Sequence, residues 1–280
     1  MRKTFFLVAA CAMSMLASAQ IFEVTSVQEL PNASYHDARV AAVSPKGDYI
    51  LMTTQGSQGL RRYDLATGEI THLTDASGAG YNVQVSKDGA QVVYQEATVG
   101  EDHLVRSTII RHNLTNEKRT VLAKDQRKLD KLVVADKTAP VLTNEDGLLY
   151  LTKSGRKQLI APIGLDYIYI WQSLSPDQTK ICYYVGERGC FVCDLDGSNN
   201  RFIGRHCTAA QWYDNNTLIS MRTEDDGYDF TSSVLEAYTL DGKRQTLTDK
   251  TMLATFPYAV DGKIVFTTWD KGTTYMMTVK

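Results

Sequence analysis

A pattern of short strands and tight turns recurs through this chain, and this repetition restricts the possible fold more than any other feature of the sequence. Each copy contains an apolar strand, a polar turn, a strand rich in β-branched and aromatic residues, a loop, a third strand, a second tight turn and a fourth strand. Five close copies and one poorer copy are present, and in the first the two turns lie at 44–48 and 66–68. Gly, Asn, Asp and Pro fill these turns because tight hairpins need positive or fixed φ angles.

The spacing of the copies predicts a closed all-β fold. Successive opening turns lie roughly 40 to 50 residues apart, which is the period of four-stranded propeller blades, and no long segment has the apolar period of a helix. We therefore predict a six-bladed β-propeller of four-stranded antiparallel blades. The predicted opening turns lie at 44–48, 86–89, 136–137, 175–178, 214–216 and 261–262.

The last copy is one strand short, because its second and third strands, predicted at 263–268 and 275–279, bring the sequence to its last residue. A strand-like segment at 21–27 precedes the first copy and alternates as the outermost strand of a blade does. We predict that this segment pairs with the last blade, which closes the ring and removes exposed sheet edges.

The first residues predict export. Arg2 and Lys3 precede an apolar run at 5–16, and Ala17-Ser18-Ala19 follows it. This is the order of a secretory signal peptide. We expect that peptide to comprise 1–19.

The remaining chain, 20–280, is expected to form a single propeller domain in the periplasm or outside the cell. The apolar run is shorter than the ~20 residues that cross a bilayer, so no membrane span is predicted. The alternative is a lipoprotein attached through Cys11, because the residues before it resemble a lipidation site.

The composition is that of an ordinary globular protein, with 43% hydrophobic and 22% charged residues and a net charge of -2. Such a chain has no basic field to hold nucleic acid and no polybasic segment for an anionic membrane. We expect neither a nucleic-acid partner nor a cofactor.

The segments 44–54 and 63–74 resemble the TolB-type propeller repeat, and 175–177 with 192–197 resembles it again. The resemblance extends over nearly all of the chain after the predicted signal peptide. It implies the fold, whereas the family includes periplasmic scaffold proteins, propeller domains of peptidases and some lyases. We expect neither the additional α/β domain of TolB itself nor a peptidase domain in this chain.

Cysteine pairing depends on the predicted fourth blade. If 186–189 forms its hairpin loop, Cys182 faces Cys193 across the ladder, which makes these two residues candidate disulfide partners. The alternative is that the thiols pack as small hydrophobic groups. A zinc site on Cys190-x-x-Cys193 is disfavoured because an odd offset places the two sulfurs on opposite faces of a strand. The cysteines after the predicted signal peptide are Cys182, Cys190, Cys193 and Cys207.

Other chemical motifs are weak. The nucleophile motif Gly-x-Ser-x-Gly does not occur. The acidic loop 224–229 has oxygen ligands for calcium without the spacing of an EF-hand, so we interpret it as a solvated loop. His36 and His206 precede inner strands and are the two histidines to test for a metal, but surface or packing roles are favoured and no metal site is predicted.

The loops before the inner strands should gather around the channel mouth and mix aromatic with charged residues, which is typical of peptide or glycan sites. The alternative is that most tyrosines and tryptophans pack between blades. We predict a non-catalytic protein that binds a protein, peptide or glycan in the cell envelope. The alternative function is a polysaccharide lyase or hydrolase with its site at the channel mouth. The candidate ligand-binding residues are His36, Arg39, Tyr81, Lys131, Tyr169 and His206.

Overall fold

The computed structural model describes residues 20–126, 140–260 and 262–280. They form six antiparallel sheets arranged as the blades of a propeller, which confirms the predicted fold class. Among these residues, the one helical element is a 3₁₀ turn at Lys250–Met252. Each blade continues outward from an inner strand, and the inner strands of neighbouring blades contact each other around the axis.

The first half of the described chain contains strand β1 and three blades, whose strands follow one another outward in sequence order. These strands are β1 (Val24–Glu29), then β2 (Ala38–Val43), β3 (Tyr49–Thr54), β4 (Leu60–Asp64) and β5 (Ile70–Thr74) of blade 1, β6 (Gln84–Val85), β7 (Gln91–Val99), β8 (Val105–Asn113) and β9 (Lys118–Gln126) of blade 2, and β10 (Val141–Glu145), β11 (Leu148–Lys153) and β12 (Arg156–Ile160) of blade 3.

The second half contains blades 4 to 6, built in the same order. These strands are β13 (Tyr169–Leu174), β14 (Lys180–Val185), β15 (Gly189–Asp194) and β16 (Arg201–Gly204) of blade 4, β17 (Thr208–Trp212), β18 (Thr217–Asp225), β19 (Phe230–Thr239) and β20 (Arg244–Thr246) of blade 5, and β21 (Ala254–Val260), β22 (Lys263–Thr268) and β23 (Thr274–Val279) of blade 6.

Two predicted turns lie outside the described residues in whole or in part. The turn at 136–137 belongs to the segment that precedes β10, so three strands of blade 3 are described. Asp261 of the last opening turn is likewise outside the description.

The N-terminal strand closes the ring as predicted. Strand β1 pairs antiparallel with β23, with Val27 opposite Met277, and so completes the sheet of blade 6. The residues just before β1 extend this closure to blade 5. The ring of Phe22 meets that of Tyr213 edge-on at 4.6 Å, and the Gln245 amide accepts from the Phe22 N–H at 2.8 Å and donates to the Phe22 carbonyl at 2.8 Å.

The opening turns have the same geometry in different blades. The N–H of Gly47 donates to the Ser44 carbonyl, and Gly89 and Gln178 make the matching bonds to Ser86 and Ser175. All three donors have positive φ, at 69°, 72° and 58°. Glycine adopts this conformation without penalty, whereas Gln178 does so at a steric cost.

The core consists of apolar layers between neighbouring blades. Val40 and Ile50 of blade 1 pack with Val265 of blade 6, while Leu51 on the other face of blade 1 packs with Tyr94 of blade 2. Alternate residues of each strand thus face different neighbours, as the two-residue period of a strand requires. Within the described ranges, no helix has the length and apolarity needed to cross a membrane. The predicted signal peptide and Cys11 lie outside these ranges.

Candidate ligand-binding face

Two sets of loops lie at the same end of the propeller. One set leads into the inner strands, and the other joins the second strand of each blade to the third. Because successive strands are antiparallel, both sets emerge at one end. We call this end the loop-rich face.

Arg39 of β2 contacts the neighbouring blade at this face. Its guanidinium carbon lies 5.3 Å from the centre of the Phe256 ring, which belongs to the inner strand of blade 6. One of its terminal nitrogens donates to the Ser57 hydroxyl at 3.1 Å. The Arg39 side chain therefore lies where two inner strands meet, at the mouth of the channel.

Three other predicted ligand-binding residues are exposed at the loops that lead into inner strands. His36 is 88% exposed and lies 3.0 Å from the Asp37 carboxylate. Tyr81 is 49% exposed, and His206 is exposed before β17. Lys131 lies outside the described residues. Their role in binding stays a prediction.

Tyr169 is not available to a ligand, and this expectation was wrong. It is completely buried, its ring lies 5.3 Å from that of Tyr183, and its hydroxyl donates to the Gly164 carbonyl at 2.7 Å. Two residues further, Trp171 is 42% exposed and its ring lies 5.1 Å from that of Tyr184. The exposed ring of this inner strand is therefore that of Trp171.

A β-bulge explains why Trp171 does not share the face of Tyr169. The pairing of β13 with β14 shifts between Ile170 and Ser173, and Trp171 within the shift has a φ of 51°. Ala209 and Phe256 occupy equivalent shifts in the inner strands of blades 5 and 6, with φ of 49° and 48°. Left-handed backbone is costly for residues other than glycine, and both bulges and such strain concentrate at functional sites.

The tryptophans divide between packing and exposure. Trp212 is buried between blades, and its indole nitrogen donates to the Ser173 carbonyl at 3.4 Å, as the packing interpretation expected. Trp269 packs on Phe230 with ring centres 4.5 Å apart and donates to the Asp229 carboxylate at 3.3 Å. Trp171 is the most exposed of the three.

The predicted register of the cysteine strands was wrong by one residue. Cys182 lies opposite Val192, and Cys193 lies opposite Ile181. Cys182 packs in the apolar layer towards blade 5, whereas Cys193 packs in the layer towards blade 3. The two side chains are on opposite faces of the sheet, which a Cys182–Cys193 disulfide cannot span.

Three of the cysteines form one buried group between blades 4 and 5. The sulfurs of Cys182 and Cys190 are 3.5 Å apart, and Cys207 shares their apolar layer. The contacts of Cys190 with Cys182 and Cys207, together with burial, raise the pKa of the Cys190 thiol well above 9. All four described cysteines are buried free thiols. Cys190 and Cys193 lie on opposite faces of the sheet of blade 4, as expected.

In the acidic loop between β18 and β19, two of the carboxylates accept hydrogen bonds from the backbone of the loop. Asp226 accepts from the N–H groups of Tyr228 and Asp229, each at 3.0 Å, and these bonds lower the pKa of Asp226. Asp225 accepts from Gly227. Across the described ranges, no three His, Cys, Asp or Glu side chains form a group able to hold a metal ion.

At the opposite end lies a cavity with a volume of about 350 Å³. It is lined by residues next to the opening turns of blades 2 and 4 and by the first described strand of blade 3. Its lining residues are Gln84, Val85, Pro140, Val141, Leu142, Gln172, Ser173 and Leu174.

Comparison with known proteins supports the fold. No protein-family model and no curated protein matches the sequence. An oligogalacturonate lyase in complex with manganese matches with a TM-score of 0.53 and 17% identity, over 85% of this chain and 76% of that one. TolB from Acinetobacter baumannii matches with a TM-score of 0.54 and 15% identity, over 75% of this chain but about half (53%) of that one.

A structure assigned to TolB of Agrobacterium tumefaciens matches with a TM-score of 0.53 and 17% identity, over 80% of this chain and 87% of that one. The chain therefore has a TolB-like six-bladed propeller fold. At these identities the likeness concerns the fold, and function must be inferred from the site.

Proposed function

We propose that this chain is exported by the segment 1–19, and that 20–280 acts as a single propeller domain that binds a protein, peptide or glycan through its loop-rich face. The observation that carries the proposal is the exposed ring of Trp171, held by left-handed backbone at the end where the loops gather. Strained backbone of this kind persists only where the surrounding structure fixes it, and it clusters at binding sites.

Neighbouring apolar side chains enlarge the surface around Trp171. Ile168, which lies before the same inner strand, is 67% exposed, and Leu165 is 60% exposed. The Arg188 guanidinium lies 5.3 Å from the centre of the Tyr167 ring, and Arg188 donates to the Tyr167 hydroxyl at 3.0 Å. Rings, aliphatic groups and a fixed cation together provide contact area and orientation for a ligand.

The test is capture of ligands from envelope extract by the purified protein, with identification of the bound species and a repeat with each purified species. Trp171→Ala should reduce binding at least about ten-fold if the ring is an anchor of the interface. Phe202→Ala is the matched control, because Phe202 is an exposed ring on the outer strand of the same blade. Equal binding by wild type and Trp171→Ala would contradict the proposal.

The alternative, a polysaccharide lyase or hydrolase, is supported by the likeness in fold to oligogalacturonate lyase. It is tested by incubating the purified protein with acidic polysaccharides, with and without manganese. Appearance of unsaturated or shortened oligosaccharides would favour the enzyme over the binding protein.

A further inference from the structure

Arg39 is a partly enclosed cation that has no carboxylate partner in the part of the chain that the structure describes. Its Nε atom is buried and has no hydrogen-bond partner among the described residues. Its remaining contacts are the Ser57 hydroxyl and the face of the Phe256 ring. Neither carries a negative charge, so neither neutralises the guanidinium.

Arg62 and Arg222 are also half-buried, and they differ from Arg39 in this respect. Arg62 also lies over a ring, that of Tyr49, at 4.8 Å, but it pairs with the Asp64 carboxylate at 3.7 Å. Arg222 pairs with Glu236 at 3.0 Å. Removing a charge from water is costly unless an opposite charge compensates it. The desolvation of Arg39 is therefore offset by the Phe256 ring and the Ser57 hydroxyl, and by no carboxylate of the described residues.

The surroundings of Arg39 hold it in place. Ser57, its hydroxyl partner, lies in the loop after β3 with a φ of 59°, and its carbonyl accepts from the Gly80 N–H at 3.1 Å. Gly80 presses on Thr53, the residue paired with Arg39, so closely that a Cβ would overlap the Thr53 side chain. The loop that carries Tyr81 is thereby fixed beside the Arg39 site.

We propose that Arg39 binds a carboxylate of a peptide ligand at the mouth of the channel. This inference rests on the proposed function and assigns the chemistry of one contact within it. The Phe256 ring covers one face of the guanidinium and the Ser57 hydroxyl takes one terminal N–H. The remaining terminal N–H groups would form the charge-assisted hydrogen bonds to the carboxylate.

The backbone around Arg39 favours a peptide as the source of the carboxylate. The pairing of β2 with β3 shifts between Val40 and Ala42, and that of β21 with β22 shifts between Thr255 and Tyr258. Residues within a bulge are left out of the ladder. The Ala41 carbonyl in the first shift already accepts from the Tyr258 hydroxyl at 3.1 Å. The peptide groups of the second shift, beside Phe256, are therefore the ones that would bind the backbone of an extended peptide, as exposed strand edges do.

The test measures fluorescence polarisation of labelled hexaglutamate with the purified protein. Wild type should bind it at least about ten-fold more tightly than hexaglutamine amide, and Arg39→Gln should lose at least about ten-fold in affinity because a charge-assisted pair is lost. Arg39→Lys should be intermediate, since it keeps the charge without the fork. Arg62→Gln is the matched control and should bind like wild type.

Three results would overturn the inference: no binding of hexaglutamate by wild type, unchanged binding by Arg39→Gln, or binding of an acidic oligouronate in place of hexaglutamate. If Arg39→Gln binds normally while Trp171→Ala still abolishes ligand capture, the carboxylate contact is wrong and the proposed function stands. If Trp171→Ala has no effect on capture, the proposed function itself fails.

Discussion

Buried charges have different surroundings in blade 5 and at the channel mouth. In blade 5, Glu236 is fully buried and accepts from Arg222 at 3.0 Å and from Arg244 at 2.6 Å, and the Tyr238 hydroxyl also donates to it. At the channel mouth, the contacts of Arg39 with other described residues are a ring and a hydroxyl. The first group is complete within the chain, whereas our proposal has a ligand supply the anion for the second.

This difference separates structural charges from functional ones. Burial raises the pKa of Glu236, but the hydrogen bonds from Arg244, Tyr238 and Arg222 outweigh burial and lower the pKa below its usual 4.5. The Glu236 group thus stabilises the folded chain as it is. A partly buried charge without an opposite charge tends to destabilise the free protein, and this is the ground on which we propose a binding role for Arg39.

The largest effect is expected for Glu236→Ala, which leaves Arg222 and Arg244 without their shared carboxylate. Breaking a buried ion pair by removing one partner costs about 3–5 kcal/mol. Urea denaturation should show this loss in the free energy of unfolding. Asp241→Asn, which removes an exposed pair with Lys243, is the control and should cost less than about 1 kcal/mol. If Glu236→Ala lost as little free energy of unfolding as Asp241→Asn, the Glu236 group would not stabilise the fold.

Phe22→Ala should have the next largest effect, because Phe22 seals the N-terminal segment against Tyr213 of blade 5. Truncating a buried phenylalanine costs about 3 kcal/mol or more. The measurement is again urea denaturation, with Val24→Ala as the control, since Val24 begins the same closing segment but is exposed. A loss no larger than that of the control would contradict the closure of the ring through this contact.

Acidification should weaken the folded state through Glu236. Its folded pKa is lowered, so the stabilisation is complete above about pH 4.5, the unfolded value, and is lost as the pH falls through the folded pKa. The midpoint temperature of thermal unfolding should therefore fall more steeply from pH 7 to pH 3 for wild type than for Glu236→Gln. Parallel profiles would show that Glu236 contributes nothing to the acid sensitivity.

Gln178→Gly is expected to stabilise the chain by about 0.5–1 kcal/mol. Gln178 has a φ of 58° at the turn position where blades 1 and 2 have Gly47 and Gly89, and glycine relieves that strain. The reverse change, Gly47→Gln, should destabilise by a similar amount in the same denaturation assay. Relief of the backbone strain at Gln178 should leave ligand capture unchanged. This result would distinguish the strain at this turn from that at Trp171.

The fold could be predicted from the sequence because it depends on repetition. The Gly, Asp and Pro turns gave the number of blades, and the missing last strand indicated the pairing of β1 with β23. The site was less predictable, because a bulge shifts a side chain to another face without any change in composition. Because of the bulge in β13, Trp171 is exposed, whereas the predicted Tyr169 is buried. A one-residue difference in register placed Cys182 and Cys193 on opposite faces of the sheet.

The importance of Arg39 was only partly visible in the sequence. Its place before an inner strand indicated the channel mouth, but the absence of a paired carboxylate is a property of packing. The Glu236 group gave no signal either, because Glu236, Arg222 and Arg244 come from three strands and share no motif.

The most direct test of the account is the stability of Arg39→Met in the absence of ligand, measured by urea denaturation. Methionine keeps much of the packing of the stem and removes the uncompensated charge. We expect the free energy of unfolding to stay the same or rise by up to about 1 kcal/mol, while affinity for the ligand falls. A loss of about 2 kcal/mol or more would show that Arg39 serves the folded structure, and would contradict the distinction between blade 5 and the channel mouth.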